Sequence, residues 1–97
     1  MTTERDIELY LVDKVFKAGG QCLKFASQTA VGYPDRICIL PYGYIVWVEV
    51  KAPGKKLRKV QQLRMENLER LGQLVCTVSA KEHVDYLMKS YAIYAAR

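Results

Sequence analysis

Tyr44–Lys51, YIVWVEVK, is the segment that most limits what this chain can become. It is rich in β-branched and aromatic residues, which suit an extended strand. Strand side chains alternate between faces, so Ile45, Trp47, Glu49 and Lys51 share one side while Val46, Val48 and Val50 share the other. An apolar strand therefore ends in an acid and a base that point the same way. Arg36–Leu40, RICIL, reads as a second strand, joined to the first through Pro41-Tyr42-Gly43 as a hairpin turn.

The flanking segments place this hairpin in an α/β setting. From about Thr3 to Ala18, the residues Ile7, Leu11, Val15 and Ala18 recur at helical spacing, with Thr2 or Thr3 to cap the start and Gly19-Gly20 to end it. Gln21–Phe25 fits a short strand, and Ala26–Pro34 is a loop rich in Ser, Thr, Gly and Pro. Ala52–Lys56 is a loop, and a second helix runs from Leu57 or Arg58 to Leu71, stopping at Gly72. Leu74–Val78 forms another strand and Lys81 to about Ala92 a final helix. The order helix, three strands, helix, strand, helix predicts a mixed sheet with an antiparallel hairpin, a crossover helix and helices flanking the sheet. With 97 residues and no repeat, linker or low-complexity tract, residues 1–97 are expected to form a single domain.

Charge points toward the partner. Fifteen Lys and Arg against ten Asp and Glu leave a net charge of +5, which favours polyanions, nucleic acid before an acidic membrane surface. Lys51, Lys55, Lys56, Arg58, Lys59 and Arg64 crowd into fourteen residues. As a phosphate-binding rim they suit nucleic acid; as a bland alternative they are a solvated helix edge. No apolar run is long enough to cross a bilayer and the N-terminus lacks a secretory apolar stretch, so a cytoplasmic location is expected. Cys22, Cys38 and Cys76 share no metal-type spacing, and an odd count argues against a disulfide framework. Reduced thiols filling strand positions, without function, are the expectation.

Asp35 opens the first strand of the hairpin, directly after Tyr33-Pro34. If the two strands pair through the short turn, Asp35 and Glu49 converge at one end of the ladder. Two nearby carboxylates suit a hard divalent cation such as Mg²⁺ or Mn²⁺, which takes one or two carboxylates with water and phosphate oxygens. Lys51 adds a cation able to position a nucleophile or stabilise a charged transition state. The implied chemistry is hydrolysis of a phosphodiester.

Gly32-Tyr33-Pro34-Asp35, a spacer of thirteen residues and then Glu49-Val50-Lys51 resembles the PD-(D/E)XK nuclease superfamily. Within it the chain resembles the VRR-NUC family, the virus-type replication–repair nuclease module. The likeness spans nearly the whole chain, from the helix beginning Thr3-Glu4 through GYPDRI and VEVK to KLRKVQQLRMENLERLG. It implies a restriction-endonuclease-like core in which Asp35 and Glu49 bind metal and Lys51 is catalytic. Glu4 matches the family's acidic residue on the first helix, as a further metal ligand, and Gln61 the glutamine of its second helix. Helix phase supports Gln61 independently, because it shares a stripe with Leu57, Met65 and Leu68. Glu8, one turn beyond Glu4 on the same helix side, is the alternative to Glu4. In the related archaeal junction resolvases the helix-one glutamate stands nearer the helix end than Glu4 does here, and Glu4 is the preferred match.

The resemblance implies a metal-dependent endodeoxyribonuclease, structure-selective on Holliday junctions and working as a homodimer with two active sites. The alternatives are flap, single-strand or non-specific cutting as a subunit of a phage replication or packaging complex, and a non-catalytic DNA-binding module. DNA contacts are expected from Lys51, Lys55, Lys56, Arg58 and Lys59, with Tyr33 as the aromatic candidate. His83 finds no ligand or base partner nearby in sequence and reads as a surface residue. Tyr86, Tyr91 and Tyr94 lie at roughly helical spacing with Leu87, which suits core or subunit interface better than base stacking.

Overall fold

The computed structural model describes residues 1–97. Helix α1 spans Glu4–Lys17 and begins in a capping box. Thr3 Oγ1 accepts from the Asp6 N–H at 3.1 Å, while Asp6 Oδ2 accepts from the Thr3 N–H at 2.9 Å. Two of the helix's orphan donors are satisfied this way. The predicted stripe of Ile7, Leu11 and Val15 is wholly buried, and burying each such side chain contributes about 1.5–3 kcal/mol. The chain leaves α1 through Gly19 at φ +88° and enters strand β1, Gln21–Lys24. Gly20 allows the close passage: a Cβ there would stand 2.5 Å from the Ile39 carbonyl oxygen.

Strands β2 (Arg36–Leu40) and β3 (Tyr44–Val50) form the expected hairpin. Its turn is a single 3₁₀ turn over Pro41–Gly43 in which Tyr42 adopts φ +67°, with Gly43 at +74° behind it. Helix α2 covers Lys59–Arg70, β4 covers Leu74–Val78, and α3 covers Lys81–Ala95, one turn longer than its sequence pattern suggests. The extra turn is held by tyrosines: Tyr44 packs on Tyr91 and Tyr94 at 5.3 and 4.9 Å between ring centroids, and Tyr94 Oη donates to the Tyr42 carbonyl. Tyr86 takes no part in this and is 74% exposed.

The sheet runs β1-β2-β3-β4, antiparallel except for the parallel β3–β4 pair that α2 connects. One face carries Cys38, Leu40, Val46, Val48, Val50 and Val78 against α1 and α3, and this layer is the core. The opposite face carries Ile37, Ile39, Ile45, Trp47, Glu49 and Thr77. There α2 covers the β3–β4 side, with Thr77 Oγ1 3.8 Å from Met65 Sδ, while Ile39 and Ile45 stay about 40% exposed. No helix is long and apolar enough to cross a membrane.

Candidate active site

Strand register brings the acidic pair together. Arg36 lies opposite Val48, and one further step along the ladder sets Asp35 opposite Glu49. Asp35 is anchored by its backbone, since its carbonyl accepts from the Phe25 N–H at 2.8 Å. The preceding residue, Pro34, is buried and restricts how the loop enters the strand. Because β3 side chains alternate, Glu49 lies on the face away from α1 and α3, at the same end of the hairpin as Asp35.

Glu49 is the unusual group. It is only 3% exposed, yet its Oε1 has no hydrogen-bond partner. Oε2 accepts from Gln61 Nε2 at 3.2 Å and lies 3.9 Å from Lys51 Nζ. Burial raises the Glu49 carboxyl to about 7, the negative charge of Asp35 adds to the rise, and the Lys51 ammonium partly opposes it. A buried carboxylate with a free oxygen, next to a second carboxylate and a lysine, is costly unless a cation completes it. The donor set is all oxygen, which fits Mg²⁺ or Mn²⁺ rather than a soft metal. No third Asp, Glu, His or Cys gathers with the pair.

Gln61 ties this pair to α2. It is 6% exposed; its Nε2 donates to Glu49 while its Oε1 accepts from the Arg58 N–H at 2.8 Å. One side chain thus satisfies a free donor at the helix start and fixes the carboxylate. Asp35, Arg58, Gln61 and Tyr33 line a cleft of about 260 Å³. Tyr33 forms one side of an aromatic cluster, 5.8 Å from Phe25 and 6.3 Å from Trp47. The Arg64 guanidinium lies over the Tyr33 ring at 5.2 Å and donates to the Val31 carbonyl. Gly32, at φ +91°, presses on α2: a Cβ there would meet Val60 Cγ2 and the Val60 carbonyl oxygen at 2.9 Å. The loop 26–34 is therefore pinned to the helix beside the cleft.

The other residues singled out in the sequence have partners of their own or stand exposed. Glu4 Oε1 accepts from the Ala52 N–H at 3.1 Å, so it holds the chain just beyond Lys51. Glu8 is engaged by Arg36 through Nε and Nη2 at 3.1 and 3.0 Å. Lys55, Lys56, Arg58 and Lys59 are exposed around the entry to α2. His83 is exposed, and its Nδ1 accepts from the Ser79 N–H at the start of α3. The cysteines are free thiols, but Cys22 and Cys38 lie side by side, an arrangement their sequence spacing gives no sign of. The pairing of Glu8 with Arg36, the packing of Phe25, Tyr33 and Trp47 into one cluster and the anchoring of Arg64 on the loop are not readable from sequence, although Glu8, Tyr33 and Arg64 stand out there singly and strand alternation places Trp47 on the Glu49 face.

An apolar hollow of about 360 Å³ lies elsewhere, between β4 and α3, lined by residues such as Leu74, Val78, Tyr86 and Leu87. It contains no carboxylate and does not reach the acidic pair.

No family model matches the chain. A curated protein named "Putative nuclease p44", from Acyrthosiphon pisum secondary endosymbiont phage 1, is 40% identical over 79 residues, covering 81% of this chain and 85% of that protein. Among solved structures, one described as "VRR_NUC domain" superposes with a TM-score of 0.87 at 30% identity, over 94% of this chain and 99% of its own.

Proposed function

The chain belongs to the VRR-NUC nuclease family, and from that premise we propose that it hydrolyses DNA phosphodiester bonds with Mg²⁺ or Mn²⁺ held by Asp35 and Glu49. The observation that carries this reading is the buried, half-satisfied Glu49 carboxylate facing Asp35, with Lys51 beside it. Bound there, the cation supplies Lewis acidity toward the phosphodiester.

The chain's own residues do the rest. Asp35, exposed at the cleft, meets the phosphate first. Glu49, buried, gives the site a fixed negative charge, and Gln61 holds the orientation of that carboxylate from α2. Lys51, with its side chain 14% exposed, points its ammonium into the same corner. There it can donate to a phosphate oxygen or orient the attacking water. Glu4 acts on the same corner through Ala52, fixing the backbone that carries Lys51. Lys55, Lys56, Arg58 and Lys59 form a cationic rim for the flanking phosphates, and Tyr33 is the aromatic edge of the cleft.

The preferred substrate in this proposal is a branched DNA, the Holliday junction, cut by a homodimer with two active sites. Two observations support it. A site this compact has few side chains with which to read bases, which favours recognition of shape. The half-exposed Leu23, Ile39 and Ile45, on the same sheet face as the site, offer apolar surface for a second copy.

The test is cleavage of labelled four-way junction, flap, duplex and single-stranded DNA, with Mg²⁺, Mn²⁺ or EDTA. Paired symmetric nicks confined to the junction support the whole reading. Metal-dependent cutting of another substrate keeps the active site and replaces the junction assignment by flap or single-strand cutting. Binding without cleavage under every metal refutes the catalytic reading in favour of a DNA-binding module.

A further inference from the structure

Cys22 and Cys38 are direct partners in the β1–β2 register, and their sulfurs are 3.4 Å apart, the Cys38 thiol donating to Cys22. The ladder type at this position matters. The Phe25 N–H donates to the Asp35 carbonyl, which makes residues 25 and 35 a hydrogen-bonded pair. Antiparallel pairs alternate in type along the ladder, so 24/36 is non-hydrogen-bonded, 23/37 hydrogen-bonded and 22/38 non-hydrogen-bonded. Non-hydrogen-bonded partners bring their Cα atoms to about 4.5 Å, inside the ~4.4–6.8 Å span that a disulfide bridges. Neither strand has to shift its register for a bond to form.

We infer that Cys22 and Cys38 are a reversible thiol–disulfide site, closed by a peroxide-class oxidant and opened by a dithiol reductant. Cys22 is half-buried on the short edge strand, where a small oxidant reaches it, and Cys38 is buried behind it. The Cys38 hydrogen bond and the nearby Arg36 guanidinium favour the Cys22 thiolate, the attacking form. In the first step the Cys22 sulfur attacks one oxygen of hydrogen peroxide; the O–O bond breaks, Cys22 becomes a sulfenic acid and one water leaves. In the second, the Cys38 sulfur attacks the Cys22 sulfur; the S–S bond forms, the hydroxyl leaves with the Cys38 proton as a second water. Two thiols have then lost two electrons and two protons, and the peroxide has been reduced to two waters.

The bond is of the labile kind. Side chains facing across a ladder have Cβ atoms about 4.5–5.5 Å apart, whereas a disulfide draws them to ~3.8 Å. That pull strains the closed form and makes it easier to reduce, as suits a switch rather than a permanent staple. Its position gives it a target, because the covalent ring closed between residues 22 and 38 contains the entire loop 26–34 and Asp35. Cys76 lies on β4, opposite Val48 and outside this pair, so it serves as the internal control.

The experiment exposes the native full chain to graded hydrogen peroxide in EDTA. Remaining thiols are then alkylated under denaturing conditions and the peptides mapped by mass. The expected result is a fall from three alkylated cysteines to one, with Cys76 still alkylated and a Cys22–Cys38 cross-link within one chain. Dithiothreitol restores all three, and the oxidised form melts at a higher temperature than the reduced one. The Cys76→Ser variant keeps the cross-link, and Cys38→Ser loses it, its Cys22 passing on to a sulfinic acid. Over-oxidation of Cys22 in the parent chain without a cross-link, bridges between chains, or pairing with Cys76 would each overturn the inference. So would three unreacted thiols at peroxide levels that oxidise free cysteine.

Discussion

Removing one charge from the candidate site should make the metal-free protein more stable while abolishing its response to metal. Glu49 is buried with one oxygen unsatisfied, and its carboxyl is raised from an ordinary value of 4.5 to about 7 by burial first and by Asp35 second. Between those two values the folded chain holds a proton that the unfolded chain has released, so its stability falls as pH rises across that window. Below 4.5 both states are protonated and the penalty is absent. Above 7 it is present in full. At ~1.36 kcal/mol per pKa unit, a rise of about 2.5 units corresponds to roughly 3 kcal/mol, a ceiling that relaxation and water entry reduce to about 1–3 kcal/mol. Glu49→Gln keeps the shape, retains an acceptor for Gln61 Nε2 and mimics the protonated acid. In EDTA at pH 8 the variant should exceed the parent by that amount, about 4–8 °C in midpoint per kcal/mol for a chain of this length. At pH 4 the two should coincide to within a few tenths of a kcal/mol. Mg²⁺ should raise the midpoint of the parent at pH 8 and leave Glu49→Gln unmoved. Urea and thermal unfolding at both pH values read all of this. A variant no more stable than the parent at pH 8, or a difference independent of pH, would refute the reasoning that Glu49 is a destabilising buried charge held for a cation.

Gln61→Ala removes both the donor to Glu49 and the acceptor for Arg58; activity and apparent metal affinity should fall about 10–100-fold, read from Mg²⁺ titrations of cleavage. Lys55→Ala combined with Lys59→Ala should weaken binding to every DNA alike and flatten the slope of log affinity against log salt by about 0.9 for each phosphate no longer neutralised, while Mg²⁺ still raises the melting midpoint. Gly32→Ala forces an L side chain to φ +91° against the Val60 carbonyl, and should lower stability by more than about 1 kcal/mol in urea titration.

The sheet was legible because its signals are local. The alternation in YIVWVEVK, the Pro41–Gly43 turn and the helical stripe of Ile7, Leu11 and Val15 each specify an element without reference to distant residues. The approach of Asp35 to Glu49 followed from the same logic, since a tight hairpin fixes which residues oppose each other. Gln61 was visible as the one polar residue on an apolar helix stripe, and the structure buries it there. What the sequence concealed depends on partner choice over long separations. Glu4 and Glu8 are equivalent by helix phase, yet one caps Ala52 and the other pairs with Arg36. Arg64 looks like one more cation in a basic run, and only the path of the loop gives it the Val31 carbonyl and the Tyr33 ring. Cys22 and Cys38 meet because β1 pairs with β2 in one register, which a four-residue edge strand does not announce. The last turn of α3 is likewise tertiary, created by Tyr91 and Tyr94 packing on Tyr44.

If Asp35 and Glu49 jointly hold a cation that DNA cutting requires, losing either carboxylate must abolish the metal response. The most direct test is a Mg²⁺ titration of cleavage, on the substrate the parent cuts best, run side by side for the parent and Asp35→Asn. The variant keeps the shape of the site and loses one of its two negative charges. The expected result is metal-saturable cutting by the parent, none in EDTA, and none by Asp35→Asn at any Mg²⁺ concentration although DNA is still bound. Cutting by Asp35→Asn at the parent's rate, or cutting by the parent undiminished in EDTA, would contradict a shared cation at this pair.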